Sequence, residues 1–244
     1  TVGEAFALAG MSRPGPTLVD LPKDITHGQT GREPGPARPP KTYNPQMEAD
    51  EKDVKVAARA IENAEKPVLL FGGGVIKGNA TETARAFAID HGIPVVTTMP
   101  GIGSFPEDDE LCLSWAGMHG TGYANMAAIT HTDLLIAVGT RFDDRLTGGI
   151  DTFAPEAEVV HIDIDPAEIS KNVHADYPLV GDAGRVLDQV DARMDHSPDA
   201  REWREQCQTW KDEYPMDYAA PSDEPIKPQF VVEAFDEATG DDTI

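Results

Sequence analysis

Three glycines, Gly72-Gly73-Gly74, stop the apolar run "VLLF" (68–71). Glycine at a strand end lets a backbone come close to a phosphate or fold into a tight turn, and both readings are open at this position. The dinucleotide fingerprint G-x-G-x-x-G accounts for Gly72 and Gly74, but Lys77 stands where its last glycine is due and Gly78 comes one residue late. A P-loop needs Lys then Ser/Thr, and Asn79-Ala80 follow instead. Similar groups recur downstream. Thr97-Thr98-Met99-Pro100-Gly101 stands where a nicotinamide enzyme carries an acid for its ribose, which disfavours that class. The segment "AGMHGTGYAN" (116–125) runs into a helical pattern whose amides could face phosphate. "GTRFDDR" (139–145) brings Arg141 and Arg145, which suit phosphate or carboxylate, and "HIDID" (161–165) offers Asp163 to a ribose or adenine.

Each residue also has a plain structural reading. His119 reads as a solvated loop residue before it reads as a catalyst, and Asp143 and Asp144 can cap a turn and pair with Arg141 or Arg145. Asp163 and Asp165 alternate with Ile164 in a strand pattern and lack a His or Cys partner, so no metal site is assigned. No Ser-His-Asp or Cys-His arrangement is supported by spacing. Taken jointly, small and phosphate- or ribose-compatible groups at successive strand ends predict an extended nucleotide lying along one sheet edge.

The elements that must position these groups alternate. Helical patterns at 53–65 and 79–91 are interleaved with β-rich runs at 67–71 and 93–97, followed by a long loop and a helix near 121–130. β-runs at 133–138 and 158–163, a short helix after Pro166, the run "PLVGD" (178–182) and a helix over 183–194 complete the body. This is an α/β class sequence, a Rossmann-like parallel sheet with helices on both faces. Residues 28–52 and 196–225 are expected as linkers, "GPTLVDLP" (15–22) as a short strand, and 227–240 as a helix whose Val231, Val232, Ala234 and Phe235 face a neighbour. The abrupt ends, Thr1-Val2-Gly3 and an apparent strand approach at 241–244, are read as those of a piece cut from a longer polypeptide, with no secretory signal in view.

Composition narrows the function classes. The chain of 244 residues carries 43 acidic and 20 basic residues, a net charge of −23, spread through the folded segments. That surface argues against nucleic acid and anionic membranes as partners, and no apolar run reaches the roughly 18 residues of a membrane span. A high-salt cytoplasm, where ions screen the repulsion, is the favoured reading, with an ordinary acidic protein as the alternative. Two cysteines far apart, Cys112 and Cys207, suit a reducing cytoplasm.

The motifs "RPGPTLVDLPKD" (13–24), "FGGGVIKGNA", "GIPVVTTMPGIGSFPEDDEL", "GMHGTGYANMA", "VGTRFDDRLTG" and "VVHIDIDPAEISKN" come in the order and spacing of the large catalytic subunit of acetolactate synthase (acetohydroxyacid synthase), a thiamine-diphosphate enzyme family that this sequence resembles. The resemblance covers nearly all of the chain except the proline-rich linkers. It implies the tail of a pyrimidine-binding domain (1–27), a linker (28–52), a central FAD-binding α/β domain (53–195), a second linker (196–225) and the start of a diphosphate-binding domain (226–244). FAD contacts are implied for Arg13, Gly73, Thr98, Met99, Ala116, Gly117, Met118, His119, Gly139, Thr140, Arg141, Phe142, Asp143, Asp163, Ile164, Asp182 and Ala183. Ala116 and Thr140 depart from the commonest family residues where the contacts are partly backbone. Lys23, Asp144 and Arg145 match substrate-channel positions, where inhibitors also bind.

The implied reaction decarboxylates pyruvate and condenses the two-carbon unit with pyruvate or 2-oxobutyrate, a step of branched-chain amino acid (isoleucine and valine) synthesis. Thiamine diphosphate and Mg²⁺ are expected to be held outside this stretch, as is the catalytic glutamate, so no catalytic residue and no metal ligand is assigned here. A homodimer or homotetramer of large subunits with a regulatory small subunit is implied. The alternatives are another FAD-containing thiamine-diphosphate carboligase or oxidase, such as glyoxylate carboligase or pyruvate oxidase, and a nucleotide-binding module without catalysis.

Overall fold

The computed structural model describes residues 1–31, 33, 35–36, 38–219 and 225–239; the expected strand approach at 241–244 lies outside them. In chain order the elements are α1 (Val2–Ala9), α2 (Lys23–Thr26), α3 (Glu51–Asn63), β1 (Pro67–Phe71), α4 (Gly73–Lys77), α5 (Thr81–His91), β2 (Val95–Thr97) and β3 (Cys112–Trp115). There follow α6 (Gly122–Asn125), which runs into a π-turn (Met126–His131), β4 (Leu134–Val138), α7 (Asp144–Thr147), β5 (Glu158–Asp163), β6 (Tyr177–Val180), α8 (Ala183–Asp191), α9 (Arg201–Glu213) and α10 (Pro228–Ala238).

The strands form one six-stranded sheet in the order β3-β2-β1-β4-β5-β6, with every pairing parallel. β1 is central, in register with β2 through Leu69↔Val95 and with β4 through Leu69↔Ile136. All five of its residues are buried, the continuous apolar run that a strand covered on both faces requires. Leu69 and Phe71 point into one core layer with Val54, Ile61, Phe87, Val186 and Val190 from α3, α5 and α8. Val68 and Leu70 point into the other, with Tyr123, Ala124 and Ala127 from α6 and its π-turn and Trp203 from α9. Each Val, Leu, Ile or Phe among them contributes about 1.5–3 kcal/mol by leaving water. The Asp133 carboxylate accepts from the Glu65 and Lys66 amides at 2.8 and 2.9 Å and sets where β1 begins beside β4.

Four local expectations are corrected. β3 lies inside the stretch read as a long loop; its Ser114 has φ +64° and the register with β2 shifts there, so the strand lacks a clean alternation. Residues 15–22 form no strand. The stretch after Pro166 is a turn instead of a helix, because Asp165 captures the Ala167 amide with its carboxylate at 3.0 Å and the Glu168 amide with its carbonyl at 3.0 Å. Within the expected linker 196–225, Arg201–Glu213 form a helix with Trp203 and Cys207 buried, and the Trp203 indole donates to the Pro67 carbonyl at 3.1 Å. The helix expected over 227–240 is present as α10, with Val231, Val232 and Phe235 exposed.

Candidate functional site

A parallel sheet presents all its carboxyl ends along one edge, and the connections reverse direction between β1 and β4. That reversal opens a crevice, the general place for ligands in such sheets. A cavity of about 530 Å³ lies there, within the size range of small-molecule sites. Its floor is made by the turns after β1 and β4. The Gly72 amide donates to the Val138 carbonyl at 2.9 Å and the Gly74 amide to the Gly139 carbonyl at 3.0 Å. A Cβ on Gly72 would lie 2.2 Å from the Gly139 oxygen, and one on Gly74 2.6 Å from the Gly139 Cα. These glycines are therefore needed for their missing side chain. None of the three is left-handed, and Gly72 has φ −94°. Gly73 faces the cavity, and a Cβ there would meet the Pro100 Cβ at 3.0 Å.

Eleven of the sequence-derived positions line this cavity. Besides Gly73 they are Arg13, Thr98, Gly139, Thr140, Arg141, Asp143, Asp163, Ile164, Asp182 and Ala183. The Thr98 amide donates to the Phe71 carbonyl at 2.9 Å, and the Gly139 amide to the Ile162 carbonyl at 2.8 Å. Thr140 is held from behind, its carbonyl accepting from Nε2 of the buried His161 at 2.9 Å. A carbonyl only accepts, so Nε2 carries the proton; burial holds the His161 pKa below its usual value and keeps the ring neutral. Among the described residues Nδ1 of His161 has no hydrogen-bond partner. Asn172 fixes the next two residues by donating to the Arg141 and Phe142 carbonyls at 3.0 and 3.1 Å.

The acids of the cavity have partners. Asp143 caps α7 through the Leu146 amide at 3.3 Å and lies 3.7 Å from Arg141, in line with its structural reading as a cap and ion pair. Asp182 caps α8 through the Arg185 amide at 3.2 Å. Asp163 is 8% exposed and accepts from the Asp165 amide at 2.9 Å; burial pushes its carboxyl up, more than that hydrogen bond pulls it down. Arg13 reaches Asp165 at 2.6 Å and Glu168 at 2.8 Å. The Ala167 amide and then Arg13 hold the Asp165 carboxyl below the usual range. For Glu168 burial acts upward, but hydrogen bonds from Arg13 and Lys171 outweigh it and leave the carboxyl lowered.

The remaining sequence-derived positions lie outside the cavity wall. Phe142, with φ +51°, buries its ring edge-on to His161 and Phe153. Met99 is exposed at the start of a 3₁₀ turn. Ala116 is buried, whereas Met118 and His119 are exposed. Gly117 is clamped by Asn125, which accepts from its amide at 2.7 Å and donates to its carbonyl at 3.1 Å. The helix expected to aim its dipole at phosphate is only four residues long at α6, and Thr121 caps it by accepting from the Ala124 amide at 3.2 Å. A second grouping does form here. The Met118 amide donates to the Arg145 carbonyl at 2.8 Å and the Arg145 guanidinium lies 3.6 Å from the Met118 sulfur, with Asp144 exposed alongside. Lys23 is exposed at the start of α2. Sequence reasoning missed Lys77, Gly78 and Pro100 in the cavity wall and Asp165, Glu168 and His161 behind it. The Gly-Gly-Gly-x-x-Lys spacing was the available signal for Lys77.

A Cβ-free floor admits close backbone approach, Lys77 and Arg141 offer charge to phosphates, and Asp163 and Asp182 offer acceptors to hydroxyls. The donor set suits a ligand that carries both anions and hydroxyls. Among the described residues no group of three or more His, Cys, Asp or Glu is placed to hold a metal, and no helix is long and apolar enough to cross a membrane.

A parallel sheet in this strand order, with a nucleotide-sized crevice at its switch point, is shared by many cofactor-binding domains. The model of one family, described as thiamine pyrophosphate enzyme, central domain, matches residues 54–190, more than half of the chain, and the chain belongs to that family. Among individual proteins, it is 44% identical over 248 residues to the acetolactate synthase of Mycobacterium bovis, an alignment covering 100% of this chain and 40% of that protein. It is 43% identical to the acetolactate synthase large subunit of Corynebacterium glutamicum, over 100% of this chain and 39% of that one. With the probable acetolactate synthase large subunit of Methanocaldococcus jannaschii it shares 46% identity over 94% of this chain and 39% of the other. The chain thus spans about two-fifths of the length of the curated relatives it matches.

Proposed function

We propose that this chain is the central part of an acetolactate synthase large subunit, and that its own task is to hold FAD in the crevice between the β1 and β4 turns. The observation that carries the reading is the 44% identity to an acetolactate synthase along the whole of this chain, linkers included. The domain allocation follows: the tail of a pyrimidine-binding domain at 1–27, the central domain over 53–195, and the start of a diphosphate-binding domain from 226. The packing of α9 on the sheet extends the central unit to about Glu213.

In this assignment Gly73, Gly74 and Gly139 provide the floor for the dinucleotide, Lys77 and Arg141 neutralise its phosphates, and Asp163 and Asp182 accept from its hydroxyls. His161 holds the Thr140 peptide in place, and Asn172 holds Arg141 and Phe142, so the wall is set before the ligand arrives. The grouping of Met118, His119, Asp144 and Arg145 lies outside this cavity and is assigned to the flavin's far end and the substrate channel. Thiamine diphosphate, bound with Mg²⁺ elsewhere in the whole protein, supplies the carbanion chemistry by which pyruvate is decarboxylated and joined to a second 2-oxo acid. A cytoplasmic homodimer or homotetramer with a regulatory small subunit belongs to the same reading.

Assaying the full-length protein for acetolactate from pyruvate, in high salt and with each of thiamine diphosphate, Mg²⁺ and FAD omitted in turn, tests it. Product formation that requires thiamine diphosphate and Mg²⁺ is expected, and the isolated 244-residue chain should form none. Acetolactate production by the isolated chain would overturn the division of labour, and none from the complete protein would overturn the function.

A further inference from the structure

Residues Ser12 to Pro16 line the cavity and make one of its walls. Unlike the other walls, this strap is not part of the sheet or of its crossover connections. Its own hydrogen bonds lead back to the N-terminal helix: the Gly15 amide donates to Ala9 at 3.1 Å and the Thr17 hydroxyl to Ala5 at 3.0 Å. Pro14 and Pro16 stiffen it, and Ser12 turns it with φ +49°. What ties it across to the α/β body is Arg13. Its Nη1 donates to Asp165 at 2.6 Å and to Glu168 at 2.8 Å, residues more than 150 positions away in the turn after β5. Glu168 is 5% exposed and receives Lys171 at 3.2 Å as well, so the guanidinium closes onto a nearly buried, already fixed carboxylate. Neither Asp165 nor Glu168 lines the cavity; both stand behind its wall.

We infer that Arg13, Asp165 and Glu168 form a latch that holds the 12–16 strap closed over the crevice, and that Asp165 and Glu168 are positioning residues controlling how fast a bound dinucleotide leaves. The resemblance alone assigns Arg13 to direct contact with the cofactor. Its geometry adds a second task, since Nη1 is committed to two carboxylates and the guanidinium thereby also anchors the strap that walls the cavity. A charge-assisted pair with a desolvated carboxylate holds better than an exposed one, and opening the strap must break it at both acids. The inference rests on the crevice being the flavin site.

The test uses the full-length protein loaded with FAD. Flavin release is followed by fluorescence after dilution into a chase, and backbone hydrogen exchange of residues 10–18 is measured on the flavin-free protein. The variants are Asp165→Asn, Glu168→Gln, their combination, and Arg13→Gln with Arg13→Lys beside it. The double acid variant should release FAD at least ten-fold faster and exchange faster through the strap, while its thermal midpoint without flavin stays within a few degrees of the parent. Arg13→Gln on the exposed strap should reproduce this even if the acid variants fold poorly, and Arg13→Lys should recover part of the slow release. Release at the parental rate from both the acid and the Arg13→Gln variants would overturn the latch. So would a loosened strap with unchanged release. A parent protein that takes up no flavin would instead bring down the cofactor reading and this inference with it.

Discussion

His161 supports the site from beneath the Thr140 peptide. It sits fully buried on β5, donates Nε2–H to the Thr140 carbonyl and supports the Phe142 ring at 5.0 Å. Burial lowers its pKa, which fixes the sign of its effect on stability. Below about pH 6.5 the unfolded chain takes up this proton while the native ring does not, so the unfolded state binds more protons and stability is lost as the pH falls. The loss approaches about 1.4 kcal/mol per pH unit until the folded ring itself titrates. Comparing thermal midpoints of the parent and His161→Gln between pH 7.5 and 5 isolates this part. The variant should be less stable at pH 7.5 and should lose less than the parent on acidification; parallel profiles would show that His161 does not titrate on unfolding. Asp165 and Glu168 differ in sign of charge and in window. Their lowered pKa values keep the latch intact above the ordinary carboxylate range, and it is lost only as the pH falls through the still lower folded values.

At the scale of elements, α9 decides how one face of the sheet is covered. Its polar residues outnumber its apolar ones, and the stripe Trp203, Cys207, Trp210 is narrow, so the sequence there reads as a linker. Packing reveals the stripe's purpose: Trp203 fills the layer beneath β1 and meets Trp210 edge-on at 5.6 Å, while Lys211 donates to the Cys112 carbonyl at 2.9 Å. Trp203→Ala should destabilise the protein by about 3–5 kcal/mol through the cavity left and the lost hydrogen bond to Pro67. Denaturant unfolding of the intact protein measures it, and a change below about 1 kcal/mol would mean that α9 is peripheral to the fold. β1, by contrast, was legible because five buried residues in a row ending at glycine leave few alternatives. β3 was not, since the irregular backbone at Ser114 breaks its alternation. The turn after Pro166 escaped for a related reason. Local hydrogen bonds donated to Asp165 by the Ala167 and Glu168 amides outcompeted a helical pattern, and that same turn carries the acids that hold Arg13.

The whole molecule carries a net charge of −23, and among the described residues most of the acids have no ion-pair partner. Mutual repulsion across such a surface opposes folding and is screened within about 10 Å at 0.1 M salt and about 3 Å at 1 M. The thermal midpoint should therefore rise by several degrees as KCl is raised from 0.1 to about 2 M, most steeply at the low end where screening changes fastest. A midpoint that stays flat or falls over that range would count against the expectation that the charge is an adaptation to high salt.

The amino-acid sequence by itself determined the alternation of strands and helices, the glycine turns at the strand ends and the parallel character of the sheet. All of these are written in local periodicity and in residues that only one backbone path tolerates. Through the family resemblance it also marked eleven positions that share the crevice, most of them at strand ends, which in a parallel sheet fall on one edge whatever the order of the strands. Only the tertiary structure decided that order, and with it the placing of the β1 and β4 turns side by side, where a single Cβ on Gly72 or Gly74 would collide with Gly139. It alone separated Met118 and His119 from the crevice and paired Arg13 with two carboxylates across more than 150 residues. Such contacts depend on where chain segments meet after collapse, and no spacing along the sequence encodes them.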